Sequence, residues 1–116
     1  MENFTKEEIE EALRPIASLI SKSEKAQQKL AQGSWQHKML QGNIKALHIA
    51  SALMNKNDTE IFTREDLQEA LRALDSMISK SEKAQEKFSP GTSQHTLQRN
   101  RIKALRIASE WIGSIV

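Results

Sequence analysis

The residues with chemistry to offer are few, and most of them come in pairs. His37 follows Gln36 as His95 follows Gln94, and Ser21-Lys22-Ser23 returns as Ser79-Lys80-Ser81, with Gln27 and Gln85 four residues further on. Imidazoles bind metals and carry protons near neutral pH. A di-metal site in a helical bundle, however, takes a glutamate from each of two helices and a Glu-x-x-His pair from each of the other two. The chain has neither a Glu-x-x-His nor a His-Glu-x-x-His, so we expect no metal and no cofactor. Nucleophilic chemistry is equally thin. There is no cysteine, no Gly-x-Ser-x-Gly elbow and no glycine-rich phosphate cradle. Serines set among lysines have no identified base or oxyanion donor, and the carboxylates crowd into first helical turns, where solvation and the helix dipole account for them. The expectation is a non-enzymatic protein.

What the paired residues share is their place relative to an apolar seam. Ser23, Gln27, Gln36 and His37, with Ser81, Gln85, Gln94 and His95, fall on or beside that seam. In a hairpin turning at residues 32–33, residue 27 lies opposite 36–40, so Gln27 and Gln36 meet near the turn. One reading is a hydrogen-bonded polar layer that fixes register. The other is a polar pocket that binds something.

The seam itself belongs to a unit written twice. Ile20-Ser-Lys-Ser-Glu-Lys-Ala-Gln27 returns letter for letter as Ile78 to Gln85, and pairing residue n with n+58 from Phe4/Phe62 to Met54/Ile112 needs no gap and gives 27 identities in 51 pairs. Each unit opens with Thr5 before Glu8, or Thr63 before Asp66, a capping box and its shorter acidic variant, with Phe4/Ile9 and Phe62/Leu67 at the staple positions. From there Ile9, Leu13, Ile16, Ile20 and Leu30, matched by Leu67, Leu71, Leu74, Ile78 and Phe88, keep the four-three spacing of a helix that packs on another. Pro15 costs such a helix one hydrogen bond, and a kink near 11–15 is expected rather than a break. Gln32-Gly33-Ser34 and Pro90-Gly91-Thr92 supply stops and new caps.

The second helix of each unit carries two stripes. One runs Leu40, Ile44, Leu47, Ala50/Ser51, Met54 and repeats as Ile102, Leu105, Ala108, Ile112; the other runs Met39, Ala46, Ile49, Leu53 and repeats as Leu97, Ala104, Ile107, Trp111. Two stripes call for more than one neighbour. With only a short polar connection at 55–61, the two hairpins must pack together. The expected fold is therefore all-α: one domain over 1–116, an antiparallel four-helix bundle built from tandem hairpins at 4–54 and 62–112 and related by a pseudo-two-fold axis.

Composition places this bundle among ordinary globular chains, with 38% apolar and 28% charged residues. Apolar runs of two or three residues exclude a spanning helix, and the acidic start has no signal-peptide pattern, so a cytoplasmic protein is expected without a membrane partner. The net charge of +2 is shared evenly, 8 cations against 7 anions in residues 1–58 and 9 against 8 in 59–116. Within the second half, Arg99, Lys103 and Arg106 follow i, i+4, i+7 with Arg101 round the side, a stripe able to track a phosphate backbone. Trp35 has no apolar counterpart, position 93 being serine, and Trp111-Ile-Gly-Ser-Ile-Val116 adds apolar character at the last residues. Trp35, Ile49, Leu53, Ile107, Trp111 and Ile115 are thus candidates for a protein interface, aromatic anchors carrying much of an interface's energy. The expected function is a small helical module that binds another protein or itself. Its alternative is a nucleic-acid-binding module that uses the basic stripe.

Overall fold

Both expected helix starts carry their caps in the computed structural model, which describes residues 4–55 and 62–116. Thr5 Oγ1 accepts from the Glu8 amide at 3.1 Å while Glu8 Oε1 accepts from the Thr5 amide at 3.0 Å. Thr63 and Asp66 exchange the same two bonds at 3.2 and 3.0 Å. These boxes open α1, Lys6–Gln28, and α3, Arg64–Glu86. Ser34 and Thr92 cap the amides of His37 and His95, each at 3.2 Å, and open α2, Trp35–Met54, and α4, Ser93–Ile115. No strand occurs among the described residues. The connection assigned to 55–61 lies, from 56 onward, outside them.

α1 runs unbroken through Pro15. It stops earlier than the apolar seam implies: Lys29 and Lys87 already bond back to the carbonyls of Ala26 and Ala84 at 3.2 Å. Leu30 and Phe88 therefore lie in the turns, not on helices, and Phe88 is exposed. Gly33 and Gly91 carry the chain round with φ of 84° and 90°, the left-handed region that glycine enters without a Cβ penalty.

α1 packs on α2, α3 on α4, α2 on α3 and α1 on α4; α2 and α4 also touch across the centre, whereas α1 and α3 do not meet among the described residues. The double stripes serve this arrangement, since α2 and α4 each have three neighbours. Lys45 reaches Asp66 and Lys80 reaches Met39, so α2 and α3 run in opposite senses. The four directions alternate, and both hairpin turns lie at the same end of the bundle.

The core is at the other end. Ile16, Leu47, Leu74, Leu105 and Ile112 are its largest fully buried side chains, and no residue in 17–45 or 75–100 is buried. Four helices of this length lying side by side would fill roughly 35 by 20 by 20 Å. The Cα envelope measures 39 × 38 × 19 Å, two helices thick but almost as wide as long. The hairpins are therefore inclined to each other, sharing a core near their open ends while the turn-bearing halves extend beyond it.

Candidate functional site

The repeated polar residues gather near the turns, half-buried except for Gln94, which is exposed. Gln27 does not bond Gln36; its Nε2 donates to the main-chain carbonyl of His37 at 3.3 Å. Gln94 accepts locally from Ser93 at 3.2 Å, and the His37 and His95 amides are taken by the caps. Ser23, Ser81, Gln36 and Gln85 stay half-buried beside them. Among the described residues no three His, Asp or Glu side chains cluster as metal ligands would.

The basic stripe is divided by burial. Arg101 is only 8% exposed, with its Nε lacking a hydrogen-bond partner, so it does not share the solvent-facing row of Arg99, Lys103 and Arg106. That row floors a groove over α4, walled by Phe4 and Glu8 on one side and Glu82 and Gln85 of α3 on the other. The groove stays open because α1 and α3 do not meet. Its charges are mixed: Arg106 pairs with Glu82, and Glu8, whose carboxyl the Thr5 amide's hydrogen bond holds below the usual range with a smaller share from Lys103, lies beside Lys103.

Fifty-eight residues earlier the same pairs stand on α2. Lys45 Nζ meets Asp66 at 3.0 Å and His48 Nε2 stands 4.0 Å from Glu24. Lys45 lowers the Asp66 carboxyl, ahead of the Thr63 amide, and Asp66 in turn raises the Lys45 ammonium. These contacts tie helices together in solvent. None of them gathers a base, a nucleophile and an oxyanion donor.

Of the interface candidates, Ile49, Ile107 and Trp111 are buried and Leu53 packs half-buried against the same core. The later part of each second stripe, from Ala46 and Ala104 onward, is thus taken up inside the molecule. Trp35, 70% exposed, and Ile115, 51% exposed, remain on the surface.

The structure adds residues that periodicity could not single out. Met39 and Leu97 begin the second stripes but lie beyond the core, and with Phe88 they join Trp35 as exposed large apolar side chains in the turn-bearing halves. A sequence signal accompanied them: there is no carboxylate from Lys25 to Asn57 or from Lys87 to Ser109. Residues 17–45 and 75–100 together hold nine Lys and Arg against four Asp and Glu, a net +5 in a chain whose total is +2. The end of the bundle without a core is thus both the basic end and, leaving aside Ile115 and Val116, the apolar-displaying end. No protein-family model, no curated protein and no solved structure matches this chain.

Proposed function

We propose that this chain is a non-enzymatic binding module that meets its partner end-on, through its two hairpin turns. The observation that carries this reading is the exposure of Trp35, Met39, Phe88 and Leu97 in halves of the hairpins that contain no buried residue. These side chains are not among those packed on the core, and exposed large apolar and aromatic side chains are the usual anchors of an interface. The two turns occupy equivalent places in the repeat but show different anchors, Trp35 where the other has Ser93 and Phe88 where the other has the half-buried Leu30. Protein binding, self-association included, falls within this reading, with Trp35 rather than the buried Ile49, Ile107 and Trp111 as its anchor.

Photocrosslinking in living cells tests it. A benzoylphenylalanine at position 35 or 88 should give covalent adducts, while one at the exposed positions Glu10 or Glu69 should not. Absence of adducts at the turns, or equal yields from all four positions, removes the reading. The nucleic-acid alternative keeps the acid-free stretch before Glu110 in its favour. It loses Arg101 to the interior and finds Arg106 paired with Glu82, which leaves Arg99 and Lys103 as its exposed cations, Lys103 with Glu8 beside it.

A further inference from the structure

Resting on the turn-end reading above, we propose that the partner is an anionic lipid bilayer, with both turns dipping into its headgroup layer. Three observations converge. First, the alternating helix directions put both turns at one end of the molecule, so a single flat surface can touch both. Second, the apolar side chains sit at or next to the outermost points of the hairpins: Phe88 within its turn, Trp35 as the first residue of α2, and Met39 and Leu97 about one helical turn behind. Tryptophan favours the bilayer interface, where its ring is in apolar surroundings and its N–H stays wet. Third, lysines stand behind these points. Lys22, Lys25 and Lys29, and Lys80, Lys83 and Lys87, follow i, i+3, i+7 along the last turns of α1 and α3, and all six are exposed. Such rows meet the negative potential of an anionic leaflet.

The shape of the end favours a bilayer over other partners. Apolar groups displayed on two separate turns would each need its own fitted pocket on a protein partner, whereas a lipid surface moulds around each turn. A nucleic-acid duplex would be attracted by the lysines but would gain nothing from Phe88, Met39 or Leu97. No helix among the described residues is long and apolar enough to cross a membrane. Four apolar groups with a basic collar therefore give peripheral, reversible attachment.

The intact chain supplies its own reporter. Trp111 is buried and Trp35 exposed, so a blue shift of tryptophan emission on adding vesicles reads Trp35 entering an apolar medium. With vesicles of phosphatidylcholine containing about 30 mol% phosphatidylserine, the protein should co-sediment and its emission shift blue, and pure phosphatidylcholine should do neither. Raising salt to about 0.5 M should release it, because screening shortens the reach of the lysines. Lys25→Glu with Lys83→Glu should weaken partitioning at least about tenfold, and Trp35→Ala should weaken it while abolishing the shift. Both variants change exposed residues, and helical circular dichroism checks that each remains folded. Equal binding to neutral vesicles, or none to anionic ones, overturns the proposal. So does a Trp35 shift that grows with protein concentration without lipid, which assigns the end to a second copy, or one produced only by a single-stranded oligonucleotide. Protein adducts at positions 35 and 88 without vesicle binding would overturn this proposal and leave the turn-end reading standing.

Discussion

Gly33 and Gly42 are nine positions apart and should respond to alanine with opposite signs. At both, an added Cβ would meet nothing within 4 Å, so packing does not enter. Gly33 holds φ at 84°, where a Cβ crowds the following carbonyl, and Gly33→Ala should cost about 1–2 kcal/mol. Gly42 lies inside α2 on an exposed face, and Gly42→Ala should stabilise by about 0.5–1 kcal/mol by restricting the unfolded chain and favouring the helix. Urea titrations of the two variants read the signs directly, and a shared sign would contradict the turn geometry. Gly33 was legible as a stop because a glycine between a basic helix end and a serine cap has a local meaning. Arg101 was not legible as a buried residue. Two positions from Arg99 is about 200° round a helix, which carries it off the solvent row and toward the bundle, where only the neighbouring helices decide how much of its stem is covered.

At the scale of the element, helix starts were readable and helix ends were not. A start is written in side chains that bond their own backbone, as Thr63 and Asp66 do, so no tertiary partner is needed. An end depends on whether the seam still has something to pack against. The seam pattern runs on to Leu30 and Phe88, yet beyond Ile20 and Ile78 the hairpins have left the core, and the chain turns instead. The second capping box also does more than open α3, because Asp66 accepts from the ammonium of Lys45 on α2. Its carboxyl is held below the ordinary 3.8, so its stabilisation is complete above that value and is lost as pH falls through the lower folded value. Lys45 is held above its ordinary 10.5, so its share is complete below 10.5 and is lost as pH rises through the higher folded value. The melting temperature of the wild type should therefore decline below about pH 4. Asp66→Asn should melt lower than wild type at pH 7 and converge with it in acid. A constant gap between the two across pH 2–7 would mean that the charge of Asp66 does not contribute.

The whole molecule is where sequence reading reached least far. Hairpin pairing, the helix count and the need for α2 and α4 to touch several neighbours all follow from periodicity. The inclination of one hairpin to the other does not, because both hairpins carry the same pattern and a period says which face packs, not how far along the helix packing persists. That length of contact divides the molecule into a half with a core and a half without one, and it sets a gradient of stability. Leu105→Ala or Leu47→Ala, at fully buried sites, should cost about 2–5 kcal/mol, the loss of burial being compounded by a cavity. Leu40→Ala or Ile78→Ala, at half-buried positions on the same kind of stripe, should cost nearer 1 kcal/mol, since less area leaves contact and solvent can fill the space. Hydrogen exchange should follow the same division. Amides of residues 46–54 and 101–112 should exchange only through global unfolding, whereas those of 21–28 and 80–86, helical but containing no buried residue, should open locally and exchange faster. Uniform protection along α1 and α3 would mean that the turn-bearing halves are held by contacts equal to the core. It would also remove the premise that these halves are kept free for a partner.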